Sequence, residues 1–189
     1  MISFIQEQKS NMKFQNSLII NRILRSGVVS IPTDTIQGLS CLPDDDLALR
    51  KLIKLKKRAK SKGLILLANK TIFFKKYVKN TSDLKKIGKD KIPTTYLVDA
   101  KRGVSRLIKG RHRTIAIRLT DDPLISALCD RLKSPIVSTS ANISGKSLLT
   151  SLFGLRQTFR NELDYLVKPS NYNGAPSQII NLKTGEKIR

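Results

Sequence analysis

The chain has 189 residues, 40% of them hydrophobic, which suits one domain (residues 1–189) with a real core. Thirty-six Lys and Arg against fourteen Asp and Glu leave a formal charge of +22. Such a field favours nucleic acid, nucleotides or acidic surfaces, although lysine spread over the whole chain also fits compositional drift. Cys41, Cys129 and His112 are too few for a Cys/His zinc site, and no apolar run approaches a membrane span, so the expectation is a soluble cytoplasmic protein with reduced thiols.

Residues 1–13 are mixed and read as a short strand or arm. From Phe14 to Ser26 apolar side chains crowd one helical face, and Gly27 is a helix stop. Val28–Pro32 reads as a strand that opens into Thr33-Asp34-Thr35, two hydroxyls flanking an acid at a strand end. Ligands of open α/β sheets collect at such ends, though a Thr/Asp turn also makes an ordinary cap. Asp44-Asp45-Asp46 starts a helix through about Lys56, with Leu49, Leu52 and Ile53 as its core stripe. The helix runs into Lys56-Lys57-Arg58 and on to Lys62-Gly63. Cations there complement the helix dipole, and they also suit a triphosphate clamp.

A strand is expected over Leu64–Ala68, then two short helical pieces at Ile72–Lys79 and Ser82–Ile87, a charged loop, and a strand at Thr94–Asp99. Gly103–Gly110 is basic and turn-rich, and His112 in the following loop reads as a surface residue. Thr114–Leu119 alternates as a strand with Arg118 near its end. Asp121, Asp122 and Pro123 start a helix with Leu124, Leu128 and Leu132 on one face. The apolar run Pro135–Val137 opens into Ser138, Thr139, Ser140 and Asn142, then Ser144-Gly145. Small hydroxyls and an amide at a strand end can bind phosphate or carboxylate without bulk, or simply cap the next element. A helix over Ser151–Arg160 and late strands at Tyr165–Val167 and Gln178–Leu182, joined by a loop at 171–177, complete an α/β pattern with a largely buried sheet.

Four of these stretches together resemble the YrdC family. They are Ile31–Leu39 with its Pro-Thr-Asp-Thr, the Lys-x-Arg of Lys56 and Arg58 followed by Lys62-Gly63, the Ser-x-Asn of Ser140 and Asn142 in 138–145, and the later landmarks Arg118 and Pro176-Ser177. The chain's length suits the compact form of that family, the TsaC type. The resemblance implies a twisted mixed β-sheet flanked by helices around a basic concave cleft. It implies an enzyme that combines L-threonine, bicarbonate or CO2, and ATP into L-threonylcarbamoyl adenylate. Diphosphate is released, and the group serves threonylcarbamoyladenosine modification of tRNA by a partner complex. Lys56 and Arg58 would be catalytic; with Lys62, Ser138, Ser140 and Asn142 they would hold ATP and its phosphates. Thr33, Thr35 and Arg118 would face threonine or its carbamate. Mg²⁺ would travel with ATP, since no carboxylate cage is apparent. Gln37 stands where the family usually carries an aromatic, Ile92 where it carries Gly, and Gln178 where Thr is common. The alternative is a non-catalytic YrdC-like domain binding structured RNA, which the charge would support. A carbamoyl-adenylate module for metal-centre maturation belongs to much longer chains.

Overall fold

The computed structural model describes residues 2–170 and 175–189. In chain order these form helix α1 (Ile2–Leu24), strands β1 (Val29–Ile31) and β2 (Gly38–Cys41), helix α2 (Asp46–Leu55) and strand β3 (Ile65–Ala68). Two 3₁₀ turns (Thr71–Phe74, Thr81–Lys86) lead to strand β4 (Thr94–Asp99), the single-turn helix α3 (Arg106–Lys109) and strand β5 (Thr114–Leu119). Helix α4 (Pro123–Leu132), strand β6 (Ile136–Ser140), helix α5 (Leu152–Phe159) and strands β7 (Tyr165–Leu166) and β8 (Gln178–Asn181) follow. Of the expected 171–177 loop, residues 171–174 lie outside the described residues.

All eight strands join one mixed sheet in the order β7-β1-β2-β6-β3-β5-β4-β8. The expected α/β class with a mixed sheet is therefore observed. The pairs β1/β7, β3/β5 and β4/β8 are parallel, and the other neighbours are antiparallel. Helices α1, α2 and α4 pack on β1, β2 and β3 and close the core. Side chains on a strand alternate between faces. Register therefore puts Gly38, Ser138, Ser140, Ile65, Ala116 and Leu97 on one face of the sheet.

Helix starts follow their caps. Asp45 accepts from the Ala48 amide at 3.0 Å, Asp122 from Ile125 at 2.9 Å, and Ser151 from Gly154 at 3.0 Å. Helix α2 ends where Lys57 turns left-handed, with φ +49. One expectation is corrected and one strand is added. Of the stretch expected as a short strand or arm, residues 2–13 are helical: α1 begins at Ile2 and runs through them, because the apolar face of its C-terminal half docks in the core through Ile19, Ile20 and Ile23 and the turn propagates backward. Strand β2, over Gly38–Cys41, was not among the expected elements. Gly-Leu-Ser-Cys lacks β-branched residues, and its strand forms because it is clamped between β1 and β6.

Candidate active site

The sheet face defined above floors a cleft of about 390 Å³. Thr33 and Thr35 come from the β1–β2 connection, Gly38 from the start of β2, Arg58 and Gly63 from the segment after α2, Arg118 from β5, and Ser138, Thr139 and Ser140 from β6. Ile65, Leu97, Ala116 and Ile179 make the floor apolar, while Lys109, His112 and Arg189 add further basic side chains. None of the described lining residues is acidic. Close approach is built in at Gly38, where an added Cβ would meet the Ser138 hydroxyl at 3.1 Å.

Arg118 is the most enclosed cation of the lining, 4% exposed. Its Nη1 donates to Thr35 Oγ1 at 3.1 Å and its Nη2 to Asp34 Oδ1 at 3.0 Å. Burial pushes its pKa down, and the charge of Asp34 opposes this. Its Nε is buried without a partner. The hydroxyl order beside it follows from donor counting. Thr33 donates to the Ile36 carbonyl at 2.7 Å, so across the 3.1 Å contact Thr35 donates to Thr33. Both protons are then spent, and Thr35 offers the cleft an acceptor.

Arg58 is held from one side only. Its Nη2 donates to the Gly63 carbonyl at 2.6 Å, and its Nε is buried without a partner. Burial lowers its pKa as well. The Gly63 backbone that takes this bond rests on the α3 terminus. Leu64 N donates to Ile108 O at 2.7 Å, and Gly110 (φ +64) lies so close that a Cβ there would meet Ser61 O at 2.2 Å.

Lys56 is placed differently from its motif partner. It is 1% exposed and does not line the cleft. Its ammonium donates to Ser140 O, to Asn142 O at 2.9 Å and to Asn142 Oδ1 at 2.9 Å. An ammonium has three donors, and these acceptors use them all. Burial first, and the charge of Arg58 second, push its pKa down to about 7. Asn142 is committed too: its Oδ1 also accepts from Ser140 Oγ at 2.7 Å, and its Nδ2 donates to Lys146 O at 2.5 Å. Lys56 and Asn142 therefore brace the Ser140–Lys146 loop from beneath, helped by Ser144 N donating to Lys56 O. Lys62 is exposed and lies outside the lining.

Of the residues expected at the site, Thr33, Thr35, Arg58, Arg118, Ser138 and Ser140 share the cleft. Lys109, His112, Ser177 and Arg189 were not expected there. Arg189 arrives because residues 186–189 fold back along β8, where Ile179 N donates to Arg189 O at 2.9 Å, and its guanidinium donates to Ser177 O at 2.8 Å. Among the described residues no group of three His, Cys, Asp or Glu is placed to hold a metal ion, and no helix is long and apolar enough to cross a membrane.

Residues 21–189 match the Sua5/YciO/YrdC family, described as telomere recombination. The chain belongs to this family. It is 34% identical over 176 residues to the threonylcarbamoyl-AMP synthase of Serratia proteamaculans, covering 90% of this chain and 93% of that one. It is 36% identical over 177 residues to the synthase of the same name from Saccharophagus degradans, with 90% and 91% covered. The fold matches P. abyssi Sua5 complexed with L-threonine at TM-score 0.80 and 22% identity, over 92% of this chain and 52% of that one. It matches E. coli YciO at TM-score 0.77 and 20% identity, over 94% and 89%. The chain thus spans about half of that Sua5 but nearly all of the two synthases.

Gln37, Ile92 and Gln178, the positions expected to differ from the family pattern, fall outside the cleft. Gln37 is buried and does not line it; its Nε2 donates to Ser30 Oγ at 3.0 Å and to Val167 O at 3.1 Å. Ile92 and Gln178 meet through Thr94, which donates to Ile92 O at 2.7 Å and accepts from Gln178 Nε2 at 2.8 Å.

Proposed function

We propose that the protein is a threonylcarbamoyl-AMP synthase, the name its curated relatives carry. One observation carries the reading. Two arginines with unpaired buried donors converge with the strand-end hydroxyls on one apolar-floored cleft whose described lining bears no acid.

In the proposed reaction, the amine of L-threonine takes up bicarbonate carbon with loss of water and becomes a carbamate. A carbamate oxygen then bonds to the α-phosphorus of ATP. The bond from that phosphorus to diphosphate breaks, leaving L-threonylcarbamoyl adenylate and diphosphate. Such a nucleotidyl transfer needs no protein nucleophile. It needs two anions held together against their repulsion and in line. Arg58 supports the triphosphate and Ser138 supplies a neutral donor beside it, while the Ser140 hydroxyl, whose proton goes to Asn142, shapes the wall. Ile65, Leu97, Ala116 and Ile179 offer an apolar bed for the adenine. Arg118 faces an anionic group at the Thr33/Thr35 end, where the spare acceptor of Thr35 suits the amine or hydroxyl of threonine. Lys56 and Asn142 act through the loop they brace, and Mg²⁺ enters with ATP as part of the substrate. The product would pass to a complex that modifies tRNA.

The test is product identification by mass after incubation with ATP, L-threonine and bicarbonate. The expected result is the threonylcarbamoyl adenylate together with diphosphate. Diphosphate release at the same rate without threonine would overturn the assignment.

A further inference from the structure

Asp34 reaches the cleft machinery from behind. It is not part of the lining, yet its carboxylate holds one end of the Arg118 fork while Thr35 holds the other. The Asp34 side chain is 26% exposed and that of Arg118 is 5% exposed. Arg118 is thereby fixed at both terminal nitrogens from a single Thr-Asp-Thr turn. Two of the five guanidinium protons are placed in this way; of the three that remain, the one on Nε is buried on an atom with no partner. A buried donor without a partner is costly unless a ligand satisfies it. The other acid near Arg118 is Asp122, whose carboxylate is committed to capping α4 at the Ile125 amide, 2.9 Å away. Among the described residues Arg58 has no equivalent acid: its bond runs to the Gly63 carbonyl.

We propose that Asp34 is a positioning residue that locks the Arg118 guanidinium in one orientation, so that its unpaired edge meets an anionic group of the bound substrate. Asp34 itself does not touch substrate. Its charge offsets that of Arg118, so Arg118 contributes direction more than net attraction, and a planar fork is suited to that task. The anionic group is a carboxylate or a phosphate, which share this chemistry. The naming of substrates rests on the synthase reading; the locked fork does not.

A double-mutant cycle tests the coupling, read as kcat and KM for L-threonine and for ATP separately. Asp34→Ala is expected to lower kcat/KM roughly 10–100-fold, the scale of a misplaced contact. The loss should appear in the threonine KM if the anion is the amino-acid carboxylate, and in the ATP KM if it is a phosphate. Asp34→Asn should lose less, because its amide oxygen accepts the same hydrogen bond. In an Arg118→Ala background Asp34→Ala should cost almost nothing further. An equal cost in both backgrounds overturns the proposal. If Asp34→Ala does not fold, Asp34→Ser, suited to an exposed turn, takes its place. A ligand-free measurement separates this proposal from the activity assignment. In ¹⁵N NMR the two terminal nitrogens of Arg118 should give distinct signals in the wild type and merged ones in Asp34→Ala. If they stay distinct, the lock is refuted even if the wild type makes the adenylate. If they merge while the wild type makes none, the lock stands and the synthase reading falls.

Discussion

Replacing Lys56 by Met removes the ammonium and keeps most of the unbranched side-chain volume. Ser140 O, Asn142 O and Asn142 Oδ1 then lose their common donor. Asn142 Oδ1 keeps the Ser140 hydroxyl and Ser140 O keeps the Asn142 amide, so only Asn142 O is left unpaired, at a cost of about 1–3 kcal/mol. The same substitution also removes a buried cation that has no carboxylate partner, which returns several kcal/mol of desolvation, so the net change in global stability is small. The expected outcome is a Tm within about 5 °C of wild type. Hydrogen exchange should nonetheless quicken at the Asn142 and Lys146 amides, bonded within this loop, and at the Ser144 amide, bonded to Lys56 O. Because Ser140 lines the cleft, kcat/KM for ATP should fall roughly 10–100-fold with the loosened loop. A variant that loses ATP affinity while exchange in the loop stays at the wild-type rate would show that Lys56 grips phosphate directly, and the bracing argument would be refuted.

Other outcomes follow from the same geometry. Arg58→Ala should cost about 2–4 kcal/mol of transition-state stabilisation, the effect of one preorganised donor, seen as a fall in kcat/KM with an unchanged Tm. Gly110→Ala forces a Cβ onto the Ser61 carbonyl in a left-handed conformation, so thermal melting should show a loss of roughly 1–3 kcal/mol. The depressed pKa of Lys56 gives two opposite pH trends. Its ammonium sheds a proton near pH 7 in the fold but only near 10.5 when unfolded, so the unfolded chain binds more protons between these values. From this group, stability measured by denaturant should rise with pH across that window, by up to about 1.4 kcal/mol per unit, and be lost as pH falls through about 7. The ATP KM should move the other way, rising above pH 7 as the brace loses a donor; a flat KM in wild type would contradict this, and Lys56→Met should remove the trend.

Much of the architecture was legible where local pattern and tertiary demand agree. Thr94–Asp99 and Thr114–Leu119 are strands over the very residues read as strands, the second from its alternation, and the acids at Asp45 and Asp122 cap the helices they precede. Strand β2 was not legible, because sheet neighbours impose it on a sequence without strand preference. In the cleft, Thr33, Thr35, Arg58, Arg118, Ser138 and Ser140 could be chosen because their chemistry and strand-end positions point the same way. Lys56 shows the limit. A motif lysine reads as a surface cation, and only the coordinates reveal that all three of its donors face the protein's own oxygens. Lys109, His112 and Arg189 carried no local signal; the path of the α3–β5 connection and the returning tail bring them in.

The cleft takes its walls from residues as far apart as Thr33 and Arg189, and its floor from strands distributed across the sheet. No short fragment holds the lining, so nucleotide capture requires segments from Thr33 to Arg189 to be folded together. Occupancy and integrity are then thermodynamically one quantity. A nucleotide at a hundred times its dissociation constant should hold the entire domain together by about 2.7 kcal/mol.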